Sequence, residues 1–335
     1  MVRKLCVVTV TYGDRFRFVK NTIERAIKNS ITKIILVANK AAPESLKSLK
    51  EVAKKEKRIE LVVNRENLGS AIGYGMGIKT ALSSPDCEFI LLLDDDTAPK
   101  EDAISVLSEN WQKLRSKYPE DNFGLVCFRP DHQIDIARGL PPDRCYLKPG
   151  AFFGFHFFNI PYRLWRFTPW GPKIPQTYPD LIEVPYAAYG GFFAHRSVYE
   201  KIGVPLTDFI LYEDDLEYTL RLTRRGGKIF LCPRARIESL ESSWGSLMRY
   251  PFGIFPWLDF REDFRIYYGA RNVAYFEKYY YNNKILRVIN RTIYLTALFS
   301  LSVLMKKKKR FKLILNAIKD GETRKLGYHK SFPLP

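Results

Sequence analysis

Between residues 5 and 128, short apolar runs rich in β-branched residues alternate with longer stretches whose apolar positions recur at helical spacing. The runs 5–11 (LCVVTVT), 34–38 (IILVA), 59–63 (IELVV) and 89–93 (FILLL) have the length and composition of buried strands. Between them, 15–29 sets Phe18, Ile23 and Ile27 on one helical face, 44–57 is a charged helix, and a helix is expected near 70–83. Thr97 can cap, and Pro99 open, a helix running through about 117. FGLVCF at 123–128 is a further strand. This alternation predicts a mostly parallel sheet with right-handed crossovers, and ligands of such sheets sit at the carboxyl ends of the strands.

The pattern then changes. Residues 129–185 are rich in proline, aromatic and basic residues without a clear period, which predicts a long irregular insertion. Its segment FFGFHFFNIPYRLWRFTPW (152–170) suits three jobs: stacking on sugar rings, facing lipid, or covering the open edge of the sheet. Regular structure resumes at 190–202, with a helix over about 214–225 and a strand at 228–232. Near the end, 288–305 is mostly apolar and KKKKR follows at once. Its charge-free part, 292–305, is about two-thirds of the ~20 residues a membrane-spanning helix needs. A helix lying in the plane of an anionic membrane fits better than a spanning one; a buried terminal helix is the competing reading.

Composition narrows the classes. The net charge of +18 points to an anionic partner. The five cysteines have no CxxC spacing, which reads against a disulfide framework and a structural zinc. MVRKLCVVTVTYG enters an apolar strand directly, so a cytoplasmic location is expected. The basic residues concentrate only at the tail and no nucleic-acid-binding signature is visible, so no nucleic-acid partner is expected.

The chemistry-bearing residues fall in two acidic clusters. LLLDDD ends a buried strand on Asp94, Asp95 and Asp96. One acid would serve to cap the next helix; three exceed that need and suit a hard divalent cation that also binds substrate phosphates. The second cluster, YEDDLEY, sets Asp214, Asp215 and Glu217 at a helix start. It suits a general base equally as well as an acidic first turn favoured by the helix dipole. ENLGSAIGYGMG (66–77) is not a GxGxxG fingerprint, and its glycines are expected to permit close approach to a ligand or a neighbouring helix. No GxxxxGK[ST], HExxH or GxSxG pattern is present.

Taken in order, VVTVTYGDR, VANKA, ENLGSAIGYGMG, LLLDDDTAP, GGFFAHRSVYEKIG, YEDDLEYTLRL, FRIYYGARNVAYF and AIKDGETRKLG resemble an inverting family-2 glycosyltransferase of the GT-A fold. Within that family the chain is most similar to a rhamnosyl- and galactofuranosyltransferase branch. The resemblance implies a catalytic region over 1–245, with a nucleotide-sugar-binding half (1–128) and an acceptor and catalytic half (129–245). A helical, basic C-terminal region (246–335) with capacity for membrane association would follow. It implies Asp94 and Asp96 as ligands of Mn²⁺ or Mg²⁺, with Asp94 and Asp95 also facing the donor. Thr11, Tyr12, Asn39 and Asn67 would hold the nucleotide. Asp215 would be the base, and Gly190, Gly191 and Asp214 would lie on the acceptor side. The donor would be a UDP- or dTDP-linked sugar and the acceptor a glycan or lipid-linked glycan. Two positions depart from the family pattern. Ala38 stands where relatives carry an acid near the nucleobase. Glu238 and Ser239 stand where relatives carry a histidine for the metal, so Glu238 can substitute as an oxygen ligand or the aspartates can act alone. A Mg²⁺-dependent nucleotidyltransferase and a basic nucleic-acid-binding protein are the rival readings.

Overall fold

The computed structural model describes residues 4–29, 31–130, 132–137, 139–166, 168–171, 173, 177–241 and 254–335. The expected boundary between residues 245 and 246 lies outside the described residues. The first half runs β1 (Leu5–Gly13), α1 (Phe16–Lys28), β2 (Lys33–Ala41), α2 (Pro43–Lys55), β3 (Ile59–Asn64), α3 (Gly69–Ser83), β4 (Phe89–Asp94), β5 (Thr97–Pro99), α4 (Ala103–Arg115) and β6 (Phe123–Phe128). Short helices α5 (Ile134–Ala137), α6 (Pro142–Cys145) and α7 (Ile160–Trp165) punctuate the stretch expected to be irregular. There follow β7 (Ile182–Val184), β8 (Phe192–His195), α8 (Arg196–Ile202), α9 (Asp214–Arg224) and β9 (Lys228–Ser239). The C-terminal part is helical: α10 (Phe255–Asp259), α11 (Asp263–Tyr280), α12 (Lys284–Leu304) and α13 (Lys308–Glu322).

The strands form a nine-stranded sheet in the order β3-β2-β1-β4-β8-β6-β9-β5, with β7 also on β9. The four strands read from the first third pair in parallel, and β8 enters antiparallel between β4 and β6. Strand alternation splits the core across the sheet. Leu5 and Val7 of β1 face α1, α2 and α4, whereas Cys6 and Val8 face α3, α8 and α9. Helix α3 packs close because Gly73 and Gly77 lie against Val10 and Val8 of β1. Those glycines therefore serve approach to a strand, not to a helix.

One expectation is corrected and another refined. Thr97 does not cap a helix: Thr97–Pro99 pairs antiparallel with β9, and α4 begins at Ala103. The aromatic insertion is also divided. Phe152, Phe153 and Phe155 enter a third core with Trp257, Tyr294 and α11–α13, while Phe158, Leu164, Trp165 and Trp170 are exposed.

Candidate active site

The acids arrive at the carboxyl end of β4. Asp94 sits in register with Val10 of β1, and the Tyr74 hydroxyl on α3 donates to the Leu93 carbonyl (3.0 Å) and to Asp94 Oδ1 (3.1 Å). Two guanidinium groups meet the cluster. Arg129 Nη1 donates to Asp94 Oδ2 at 2.9 Å. Arg15 donates to Asp95 through Nε (2.8 Å) and Nη2 (2.9 Å), with a weaker contact from Nη2 to Asp96 at 3.2 Å. The Thr11 hydroxyl completes the buried Asp95 at 2.7 Å. Asp96 is thus the least satisfied of the three. Burial and the charges of Asp94 and Asp95 push its carboxyl up to about 7.

Of the nucleotide-side residues expected from sequence, Thr11 meets this cluster directly, while Asn39 and Asn67 pair at the end of β2 and the entry to α3. Asn39 Nδ2 donates to Asn67 Oδ1 and to the Gly69 carbonyl, each at 3.1 Å. Asn39 Oδ1 accepts from the Leu68 backbone at 3.1 Å, so these amides fix the entry to α3. Tyr12 accepts from Arg265 of α11, whose other nitrogen donates to Tyr212. Gly190 lies against Asp94: a β-carbon there would stand 2.5 Å from Asp94 Oδ2, so only glycine lets this carboxylate approach. Gly191 donates its backbone N–H to the Leu92 carbonyl of β4.

Glu238 is turned elsewhere. Strand alternation sends its side chain to Arg25 (2.8 Å) and Lys100 (2.7 Å), while the adjacent Ser239 accepts from Arg129 Nε at 2.9 Å. Among the described residues no three histidine, cysteine or carboxylate side chains converge to hold an ion.

The second acidic cluster opens α9 at the same end of the sheet. The Ser70 hydroxyl donates to both oxygens of Asp214 (3.0 and 2.9 Å). Burial pushes Asp214 up to about 6, with Ser70 pulling the other way. Asp215 accepts from the Leu216 backbone N–H at 2.8 Å. Burial, and then the Asp214 charge, push its carboxyl up to about 8. The Asp94 charge adds to both shifts, so the two clusters lie within electrostatic reach of each other.

The turn that delivers Asp215 is strained. Ile210, Tyr212 and Glu213 all have φ between +60° and +68°, a region disfavoured for residues with a β-carbon and most of all for isoleucine. Buried Asn272 on α11 secures it by donating Nδ2 to the carbonyls of Phe209 (2.8 Å), Leu211 (2.7 Å) and Tyr212 (3.1 Å). Arg271 reaches the Asp208 and Phe209 carbonyls, and Gly321 of α13 packs on the Arg271 backbone. Sequence reasoning did not single out Arg15, Ser70, Arg129 or Asn272 as site residues. Three of them stood inside recognised motifs (TYGDR, ENLGS and GARN), which was the available signal.

A profile of glycosyl transferase family 2 matches residues 6–203, more than half of the chain. The chain belongs to glycosyl transferase family 2. It is therefore a glycosyltransferase, which decides among the three enzyme and binding readings. The enzyme is 21% identical over 264 residues to the low-salt glycan biosynthesis hexosyltransferase Agl10 of Haloferax volcanii, covering 79% of this chain and 75% of that protein. Its fold is similar to GalNAc-T7, solved with UDP, GalNAc and Mn²⁺ (TM-score 0.53, 14% identity). That likeness covers 87% of this chain but only 54% of the other, so the enzyme spans about half the length of GalNAc-T7. S. aureus TarS 1–349 with UDP-GlcNAc gives a TM-score of 0.50 at 11% identity, covering 95% of this chain and 81% of TarS. These neighbours share the GT-A fold.

Proposed function

We propose that the enzyme moves a sugar, with inversion, from a nucleoside-diphosphate sugar to a hydroxyl of a glycan or lipid-linked glycan. The supporting observation is the contrast between its two acidic clusters. Arginines clamp Asp94–Asp96. Among the described residues no basic side chain pairs with Asp214 or Asp215, and the Asp215 carboxyl is pushed up to about 8. A base with raised proton affinity suits deprotonation of a hydroxyl near neutral pH.

Asp215 takes the acceptor proton as the hydroxyl oxygen bonds to the anomeric carbon and the bond to the diphosphate oxygen breaks on the opposite face. Asp214, held by Ser70, flanks the acceptor with Gly190 and Gly191. Thr11, Tyr12, Asn39 and Asn67 orient the nucleotide, and Asp95, engaged by Arg15 and Thr11, supports the donor side. The hard carboxylate pair Asp94 and Asp96 fits Mn²⁺ or Mg²⁺, and the under-satisfied, buried Asp96 is the better evidence of that fit. Such an ion, when bound, supplies charge neutralisation for the departing diphosphate. Glu238, engaged by Arg25 and Lys100, is left out of this set.

The donor on this reading is UDP- or dTDP-linked, and the closest affinity is to the rhamnosyl- and galactofuranosyltransferase branch. The workplace is the cytoplasmic face of an anionic membrane. All five cysteines are free thiols, which suits a reducing compartment. The test pairs two variants. Asp215→Asn is expected to lower transfer by about 10²–10⁴-fold with donor affinity unchanged. Asp96→Ala is expected to weaken metal-dependent donor binding. Equal loss of donor binding in both would refute this division of roles.

A further inference from the structure

Helix α12 is built with its polar side inward. Its buried positions include Arg287, Asn290 and Ser302 beside Tyr294 and Leu298. Arg287 donates to the carbonyls of Ala151 (3.3 Å) and Ala274 (3.2 Å) and to Glu322 (3.2 Å). Asn290 donates to the Gly150 carbonyl at 2.8 Å and accepts from the Phe157 backbone at 2.9 Å. The opposite face is apolar and open. Ile285 is 75% exposed and Leu304 80%, with Val288, Ile289, Ile293 and Val303 exposed between them. Between them that face carries only the exposed Phe299 and the small Thr292, Thr296, Ala297 and Ser300. The stripe runs the length of the helix, about 30 Å at ~1.5 Å per residue. A soluble helix ordinarily shows the reverse arrangement, so this face is made to be covered.

Charge identifies what covers it. The stripe ends at Lys306, and Lys306–Lys309 with Arg310 line a cavity of about 610 Å³ that also touches Val303 and Leu313. Lys307 pairs with Asp259 and Arg310 with Asp263. Among the described residues, Lys306, Lys308 and Lys309 make no ion pair. A second copy of the chain would bring like charges to this end of the stripe, Lys306–Lys309 in a parallel pairing or the exposed Lys284 in an antiparallel one, whereas an anionic lipid surface neutralises them. No described helix is long and apolar enough to cross a membrane, which leaves the in-plane arrangement. The exposed Phe158 lies in the turn that Asn290 anchors and the exposed Trp165 ends α7, which follows that turn, and aromatic rings of this kind settle at headgroup depth.

We propose that the outward face of α12, with Lys306, Lys308 and Lys309, docks the enzyme in the plane of an anionic phospholipid bilayer. The docking face stands on its own geometry, and its test reads lipid binding, not transfer. It deepens the membrane workplace proposed above, and its failure would remove that workplace while leaving the proposed chemistry untouched.

The test is flotation with vesicles of phosphatidylcholine alone and of phosphatidylcholine containing roughly one-third phosphatidylglycerol. The enzyme is expected to float with the anionic vesicles only, and to be released when salt rises from about 0.1 to about 0.5 M. Lys306→Gln, Lys308→Gln and Lys309→Gln together should lower partitioning roughly a hundredfold, at about a fivefold loss per lysine. Ile285→Ser with Val288→Ser should lower it at least about tenfold. Thermal melting checks that each variant is folded. Should the serine variant melt early, the lysine variant, altered only at exposed positions, still decides. Equal binding to neutral vesicles, or variants that float like the unaltered enzyme, would overturn the proposal. So would a salt-stable dimer, lost in the serine variant, from an enzyme that does not float.

Discussion

The proton affinity of Asp215 sets how the enzyme should respond to pH. A base must be ionised to accept the acceptor proton, and burial raises this carboxyl to about 8. The active fraction therefore grows as pH rises through that value, and kcat/KM should show an acidic limb there. Asp214 is the largest charge contribution after burial, so Asp214→Asn should move the limb about one unit toward acid, whatever it does to the rate. A limb unmoved by that change would remove Asp214 as the cause. Both aspartates stand out in the sequence as candidates because YEDDLEY is a contiguous motif. The arginine clamp was not legible. Arg15 and Asp95 are 80 positions apart, and Arg129 and Asp94 are 35 apart, so only the fold brings them together. Glu238 was misleading for a related reason. Its position in the chain is close to Ser239, which meets Arg129, but the two-residue period of β9 points it to the other side.

At the level of elements, Asp215 is delivered by a turn that its own sequence does not favour. Non-glycine residues held at positive φ cost on the order of 1–3 kcal/mol each, and three occur within four residues. Asn272 offsets this with three carbonyl contacts from a neighbouring helix. Asn272→Ala should let the turn relax, lowering kcat by roughly 10–100-fold, since small misplacements of a catalytic group are costly. The donor KM should hold within about threefold, because the proposed nucleotide contacts are held by groups other than Asn272: Asn39 and Asn67 by each other and the start of α3, and Tyr12 by Arg265. Asn272→Asp, nearly the same in shape but lacking the amide donors, should not restore the rate. A fall in stability with kcat intact would reduce Asn272 to a packing residue. The strand and helix periods made most of the first half readable, since each run is long enough to show its period. Thr97–Pro99 escaped because a three-residue strand has no period to read, and its pairing partner lies in β9. GARN and the DG…G tail were recognised as motifs, but their joint work on the turn before Asp215 appears only when α11 and α13 pack.

Over the whole molecule, these carboxylates are a liability for folding that should be measurable. Burial raises Asp96 to about 7 and Asp215 to about 8, from an ordinary value of 3.8 for aspartate. Each then binds its proton more tightly folded than unfolded, so between its ordinary and raised values the folded chain carries the extra proton. Stability must fall as pH rises through that window. In metal-free buffer the enzyme should therefore melt at a higher temperature at pH 6.5 than at pH 8, the gain being about 1–2 kcal/mol. The comparison stops at pH 6.5 for a physical reason. Burial lowers the affinity of His156 for its proton, so below its ordinary value of 6.5 that group begins to oppose the gain. The site's contribution can be separated from the rest of the chain with Asp215→Asn, which removes the larger titration without removing the side chain's shape. That variant should melt later than the unaltered enzyme at pH 8, and its melting temperature should depend less on pH while transfer is lost. If instead both proteins showed the same pH dependence, the charge of Asp215 would not be held at a cost to the fold, and its raised proton affinity would no longer support its assignment as the base.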